Sequence, residues 1–530
     1  MLILTDLPPE ILRRVIEESM PEGFEKFMLT CRYVYECGRS LIDKHATYIR
    51  ENRYLNFEGI ADYVPIVTWM YSVVNDPVVA RYVWHVDFCQ RRRGPDAIYP
   101  RKRLNGDPVA MSRLREFIVE SPYLRRAGVD REEWARVILS KVETLDTEER
   151  DKYFVFMGPF LFTLFPNLKS FMFSPPLSVR HAMEFPATST RHLDYYPQAQ
   201  RVMETITRMI EENADGASLG QLAQVWIRDL ENNNEKMDLR ALLSFFTAPD
   251  PKALYLTNCE DYGIGPIFLG YHRNSLDMSL GLRKLVLEHS YVDSEAISFL
   301  LSRTPYLESF RFSYVSKNNS RPALDRWDVA AFIAGIGKNV GQHLEELIVT
   351  LEYLDGHVTN GVTSMKEFVT LKRLDLDVRA FHTPAIQTWA KKVLPGEDVM
   401  REIPLEAFEA IPRLVKILPP SLEEVNLFAD NDKYRYNPEI VKRLLDDFAV
   451  DRWTFLPNLE IFGLWCKFSG LKRQDKIDLW HYARSKRITC NFNFNDESAW
   501  KSFLASRCTT HHYLSPSPFP TIDVFANLTD

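Results

Sequence analysis

Residues 457–464 read PNLEIFGL, and the same phrase returns along the chain. Its pattern is proline, any residue, leucine, a charge, any residue, then apolar, any, apolar. It stands again at 166–173 (PNLKSFMF), 305–312 (PYLESFRF) and 420–427 (PSLEEVNL). Without the proline it recurs at 282–287 (LRKLVL), 344–349 (LEELIV) and 371–376 (LKRLDL), with weaker copies at 253–256 and 83–88. An L-x-x-L spacing alone arises by chance in any leucine-rich chain. Here seven copies carry a charge directly after the first leucine, and four of those carry a proline two positions before it. The apolar–variable–apolar ending is a short strand with one buried face. Three residues cannot hold a strand alone, so the copies must stack on one another at roughly 4.8 Å per strand.

The intervals suit strand–turn–helix units: Leu282 to Leu307 is 25 residues, Leu344 to Leu371 is 27, and Leu422 to Leu459 is 37. Helical patterns fill them. Residues 294–301 carry apolar groups at helical spacing behind a cap at Asp293, and 328–334 and 438–445 repeat the idea. The fold class expected is therefore α/β. One strand and one helix per unit resembles a leucine-rich-repeat solenoid, irregular in length, with parallel strands on the concave wall and helices on the convex one. The asparagine that often follows the strand in that family is mostly absent.

Before the first copy, residues 7–20 read LPPEILRRVIEESM. Proline near the first helical position and Glu10 at the positive end favour a helix start. Ile11, Leu12, Val15 and Ile16 then make an apolar stripe. A break at 20–23 precedes a second segment carrying Phe24, Phe27, Met28, Cys31 and Val34 at three- and four-residue steps. So small a helical unit buries little surface and must lean on the repeats or on a partner. Residues 7–45 resemble an F-box. The matching positions are Leu7, Pro8, Glu10, Ile11, Leu12, Ile16, Pro21, Leu29, Thr30 and Cys31, while the family's frequent tryptophan, which falls near Val34, is missing. The combination with repeats, and the passage 75–83, resemble fungal F-box proteins in particular. The bland alternative is a helical cap on the repeat stack. The expected division is an F-box at 1–48, a helical linker at 49–82, the repeat array at 83–500 and a tail at 501–530.

Composition closes off other classes. A chain of 530 residues exceeds one compact core, and 45% hydrophobic residues is the globular level. A net charge of −7 argues against nucleic-acid binding. Seven cysteines without a C-x-x-C pair predict reduced thiols in the cytosol or nucleus. The first residues lack the pattern of a signal peptide, and no apolar run approaches the roughly 20 residues that span a bilayer. The basic clusters 91–93 and 101–103 read as a solvated loop or an import signal. Residues 111–118, 132–142, 202–210, 219–230 and 476–484 carry helical patterns, 488–494 a strand-like one, and 174–197 reads as a loop insertion. No phosphate loop, nucleophile elbow or H-E-x-x-H motif appears, so no enzyme, cofactor or metal is expected. The pair Gly263 and Gly265 reads as a turn. Cys508, His511 and His512 lack a second ligand cluster, and Ser515 and Ser517 precede prolines in a proline-rich tail.

The variable positions of the phrase should face away from the core and form a ladder. Lys284, Arg311, Glu346, Arg373, Asp375, Asn426, Phe428 and Trp465 are its expected target-binding members, with Phe428 and Trp465 as exposed aromatic anchors. His85 and Asp87 stand at equivalent positions in an early copy. The resemblance implies the substrate-recognition subunit of an SCF-type (Skp–cullin–F-box) ubiquitin ligase. Leu7, Pro8, Ile11, Leu12, Val15, Ile16, Leu29 and Cys31 would then meet a Skp-family adaptor and, through it, the cullin scaffold. An interaction scaffold independent of ubiquitination is the alternative.

Overall fold

The computed structural model describes residues 6–57, 63–88, 107–140, 145–173, 196–212, 217–227, 237–238, 251–260, 281–315, 326–353, 357–382, 405–430, 438–467, 473–491 and 503. The basic clusters, the glycine pair near 264 and residues 508–520 lie outside them. So does nearly all of the expected insertion at 174–197. The chain divides into two units, Met1–Asn232 with Ala241–Pro251, and Asn233–Arg240 with Lys252–Asp530.

Strands in the first unit are β1 (Tyr54–Asn56), β2 (His85–Phe88), β3 (Ser170–Phe173) and β4 (Gln224–Ile227). In the second they are β5 (Met237–Asp238), β6 (Ala253–Thr257), β7 (Cys259–Glu260), β8 (Lys284–Ser290), β9 (Ser309–Val315), β10 (Arg326–Trp327), β11 (Glu346–Tyr353), β12 (His357–Val358), β13 (Arg373–Asp377), β14 (Glu424–Asp430), β15 (Ile461–Lys467) and β16 (Thr489–Asn491). Within the first unit β1, β2, β3 and β4 pair in that order, all parallel. Within the second, β6, β8, β9, β11, β13, β14, β15 and β16 do the same. Two short parallel pairs, β5 with β7 and β10 with β12, accompany them. The repeated phrases are therefore adjacent parallel strands, with Leu285, Phe310, Leu347, Leu374, Val425 and Phe462 in one register row.

The grammar of the phrase now has physical content. Its first leucine is core: Leu168, Leu307, Leu344, Leu371 and Leu422 are all 0% exposed. The carbonyl of the next residue accepts two N–H groups from the following copy. Arg283 receives those of Glu308 and Ser309, Glu308 those of Glu345 and Glu346, Glu345 those of Lys372 and Arg373, and Lys372 those of Glu423 and Glu424. The charged side chains stay in water, where some pair across copies, as Lys372 does with Glu345 at 2.9 Å. Each is worth little alone, so the position is charged mainly because it is exposed.

The two apolar positions of each strand face the helices. Phe312 lies 4.8 Å from Phe332 on the helix Val329–Val340, and Phe462 lies 4.8 Å from Phe448 on Phe448–Phe455. The expected caps form: the Asp293 carboxylate accepts from the N–H of Ala296 at 2.7 Å and that of Asp328 from Ala331 at 2.9 Å.

Two expectations need correction. The span 49–82 is not only helical, since β1 sits inside it and pairs with β2. Residues 52–57 are a copy of the phrase in which the buried Asn52 replaces leucine. Residues 219–230, expected as helix, contain β4. Val225, Trp226 and Ile227 are buried there, and β-branched and aromatic residues beside a ready strand edge pair with it.

Residues 6–52 fold as three helices, Pro9–Glu18, Phe24–Met28 and Arg32–Asn52. Leu12, Ile16, Met20, Phe24, Met28, Val34 and Leu41 form their core, joined by Tyr82 from further along the chain. Gly38 permits this packing, because a Cβ there would lie 2.3 Å from the Met28 sulfur. Glu22 ties the head down through hydrogen bonds from Arg81 and Asn167.

Replacing Leu347, 0% exposed, by alanine should cost about 3 kcal/mol of stability by the usual transfer and cavity terms. The same change at Val369, 50% exposed, should stay within about 0.5 kcal/mol. Denaturant unfolding of both variants checks the contrast.

Candidate functional site

Because side chains alternate along a strand, the face away from the helices carries the variable residues in register rows. One row holds Ala253, Lys284, Ser309, Glu346, Arg373, Glu424 and Ile461. The next holds Tyr255, Val286, Arg311, Ile348, Asp375, Asn426 and Gly463. The third includes Asp377, Phe428 and Trp465.

Most of the residues expected in the ladder are joined in one network. Arg311 donates to Glu346 from Nε to Oε2 at 2.9 Å and from Nη2 to Oε1 at 3.0 Å. Ser309 Oγ donates to Glu346 Oε2 at 2.5 Å, and Arg373 Nη1 lies 3.4 Å from Glu346 Oε1. Arg373 Nη2 donates to Asp375 Oδ2 at 3.2 Å. The Asn426 amide donates to Asp375 Oδ1 at 2.8 Å and to Glu424 Oε1 at 2.6 Å, and Trp465 Nε1 donates to Asn426 Oδ1 at 2.9 Å. Gly463 makes that last bond possible, since a Cβ there would lie 2.4 Å from Asn426 Oδ1 and 2.7 Å from Trp465 Nε1.

Burial corrects the expectation that this face is open. Asp375 and Phe428 are 0% exposed and Asn426 is 2% exposed. Strands about 4.8 Å apart bring neighbouring side chains into contact, so each covers the next. Phe503 also packs on the aromatic end, 5.8 Å from the Phe428 ring and 4.9 Å from that of Trp465. Phe428 is thus no exposed anchor, and Trp465 is half-buried. The accessible part is the first row, where Lys284, Ser309, Glu346, Arg373 and Glu424 keep intermediate exposure.

The electrostatics follow from this partial burial. Burial would push the Glu346 carboxyl up, but Arg311, Ser309 and Arg373 outweigh it and hold it below the usual carboxylate range. Lys284 is lowered to about 8, by burial first and then by Arg311 and Arg373, with Glu346 opposing. A neighbouring outward side chain, Asp377, binds Arg379, whose Nε and Nη2 donate to it at 2.9 and 2.8 Å. Sequence reasoning missed Ser309 and Glu424, although both stand two places after the leucine, as Glu346 does. Nothing in the sequence pointed to Phe503.

In the first unit His85 plays an equivalent part. Its Nδ1 lies 2.6 Å from Ser170 Oγ and its ring stacks on Tyr54 at 4.6 Å. Burial, then the charges of Arg53 and Lys169, lower it to about 4.

The second surface is on the head helices. The expected apolar stripe divides: Leu12 and Ile16 are 0% exposed and belong to the head's own core, while Ile11 is 50% and Val15 41% exposed. Leu29 is 83% exposed. Cys31 and Pro8 are exposed, and Leu7 is half-buried with its carbonyl accepting from Tyr33 Oη at 3.2 Å. An open groove of about 840 Å³ runs between the first and third helices, lined by residues including Arg13, Tyr35 and Arg39.

Among the described residues no His, Cys, Asp or Glu group is placed to hold a metal ion, and no helix is long and apolar enough to cross a membrane. No protein-family model matches the chain, and no curated protein matches it.

Two outcomes follow for this region. Gly463→Ala should displace the Trp465 indole from Asn426 and lower stability by about 2 kcal/mol, read by denaturant unfolding. A histidine lowered in the folded state favours folding while neutral, so its contribution is full above about pH 6.5 and fades toward pH 4. The stability gap between the wild type and His85→Gln should therefore shrink by about 2 kcal/mol over that window, in unfolding curves at stepped pH.

Proposed function

We propose that the chain is the substrate-recognition subunit of an SCF-type ubiquitin ligase. Its head would bind a Skp-family adaptor, and through it a cullin scaffold, while an irregular leucine-rich-repeat array holds a target protein. The observation that carries this reading is the divided stripe of the head. One face of the first helix closes a core with Leu12 and Ile16, and the adjoining face leaves Ile11 and Val15 in water, with Leu29 exposed as well. Large apolar groups outside a core that is already complete are the mark of a surface awaiting a partner. The resemblance of residues 7–45 to an F-box names the partner, and the parallel stacking of the repeated phrases supports the repeat array.

In this reading the chain does no bond chemistry. It contributes proximity, holding the target near the enzyme that carries ubiquitin, which is a large rate term in itself. The head is fastened to the strands beside it by Glu22, Arg81 and Asn167 and by Tyr82 within its core.

The alternative is an interaction scaffold that works without ubiquitination. The internal pairing of Arg311, Glu346, Arg373, Asp375 and Asn426 favours it, because a satisfied network has less to offer a target. The half-life of a captured partner separates the two. Overexpression shortens it in the ligase reading and leaves it unchanged in the scaffold reading.

Co-purification with a Skp-family adaptor is the direct test. The exposed triple variant Ile11→Ala/Val15→Ala/Leu29→Ala should fold normally and lose adaptor binding at least tenfold, since apolar anchors dominate such interfaces. Undiminished capture by the triple variant, or none by the wild type, overturns the ligase role.

A further inference from the structure

At the foot of the first unit's strands an indole lies between two cations. Arg53, Trp84 and Lys169 stand directly before β1, β2 and β3, and the backbone ties them in that order. Arg53 accepts the N–H groups of Trp84 and His85, and Trp84 those of Lys169 and Ser170. Arg53 Cζ lies 3.8 Å from the centre of the Trp84 ring, and Lys169 Nζ lies 3.4 Å from it. Their strands flank that of Trp84 on opposite sides, so the two cations take opposite faces of the ring. All three residues keep intermediate exposure.

In the second unit the same place in the phrase carries both signs, and neighbours pair, as Lys372 does with Glu345. Here both charges are positive. Neither Arg53 nor Lys169 has a carboxylate oxygen within 4.0 Å among the described residues. The acidic residues nearest in sequence to Arg53 and Trp84 are engaged elsewhere. Glu51 lies 4.0 Å from Arg50, and Asp87 is 2% exposed with contacts of its own. Arg53 Nε is buried with no acceptor among the described residues. The Lys169 ammonium is pushed down by burial and then by Arg53, with no carboxylate opposing. His85 beside them is neutral at pH 7, since burial and the same two charges lower it to about 4. The indole attracts both cations through its faces but has no charge to cancel theirs.

We propose that Arg53 and Lys169, held apart by Trp84, receive the two carboxylates of an acidic–any–acidic segment of another protein, extended across the ends of β1, β2 and β3. The spacing selects this pattern. The two charged groups are at most about 7 Å apart, and side chains two places apart on an extended chain are separated by about 7 Å. The indole stands on the straight line between the cations, so one carboxylate cannot serve both. Adjacent acids point to opposite faces of an extended chain and reach only one cation. A longer acidic run gains nothing, because the next place in the row is Ala223, whose N–H meets the Lys169 carbonyl. Charge-assisted bonds at half-exposed groups make a reversible contact that weakens with salt. The site stands on charge and spacing whether or not the chain serves a ligase.

Carbodiimide coupling reads the contact at Lys169 in the purified full chain. It joins a carboxylate to the amine beside it as an amide, so a weak contact leaves a mark that peptide mass spectrometry locates. Two peptides of equal charge, acetylated and amidated at their ends, are compared: Gly-Ser-Glu-Ser-Glu-Ser-Gly and Gly-Ser-Ser-Glu-Glu-Ser-Gly. Lys169 should couple at least about fivefold more to the spaced peptide, since engaging one carboxylate raises the local concentration of the other. Lys372, whose ammonium already holds Glu345 at 2.9 Å, should couple equally to both. Arg53→Gln should remove the preference at Lys169, and Arg53→Lys, which keeps the charge, should preserve it. Oligothymidylate at equal charge should leave the coupling unchanged. Equal coupling of the two peptides at Lys169 overturns the site. So does a preference that persists in Arg53→Gln or is lost in Arg53→Lys, or a coupling that oligothymidylate suppresses.

Discussion

The outer face of the sheet depends on a register set by main-chain atoms. In the second unit the residue after each phrase's first leucine lends its carbonyl to two consecutive N–H groups of the next copy. The same tie appears in the first unit, where Arg53 receives Trp84 and His85, Trp84 receives Lys169 and Ser170, and Lys169 receives Ala223 and Gln224. A slip of one residue would turn every buried leucine and phenylalanine outward and every charge inward. Fixing the register therefore fixes at once which residues are core and which meet across strands. Arg311 reaches Glu346, and Asn426 reaches Asp375, because their strands cannot slide.

How much of this was legible in the sequence depended on whether a copy kept its leucine and its charge. The copies at 285, 310, 347, 374, 425 and 462 kept both features and fall in one register row. The copy at 52–57 was hidden by Asn52 in the leucine place, and the one ending in β4 by Ala223 in the charged place. Residues 219–230 then looked helical, because a three-residue strand gives no period long enough to compete with chance helical spacing. Membership of the ladder was legible from alternation alone. Its burial was not, because a one-dimensional pattern says which way a side chain points and nothing about what lies above it. Phe428 follows the same alternation as Arg373, yet one is sealed and the other half open. In the head, Ile11 and Leu12 are chemically alike and adjacent, and only the position of the third helix decides which is core.

Two surfaces result, and they differ in kind. The head presents apolar groups around a finished core, which suits a stable, dry contact with one partner. Among the described residues the sheet presents a network in which nearly every group already has a companion. Such a face has little general stickiness. It discriminates by charge and fit, since an ill-matched group would disturb a network that is otherwise satisfied. A stable hold on one surface and a selective one on the other suit the division of labour proposed for the chain.

A leucine held 83% in water at position 29 has a consequence for the life of the molecule. Alone in solution, so greasy a spot is open to a second copy or to the quality-control machinery that searches for misfolded proteins. If the proposed adaptor covers it, the supply of that adaptor would set how long the chain lasts.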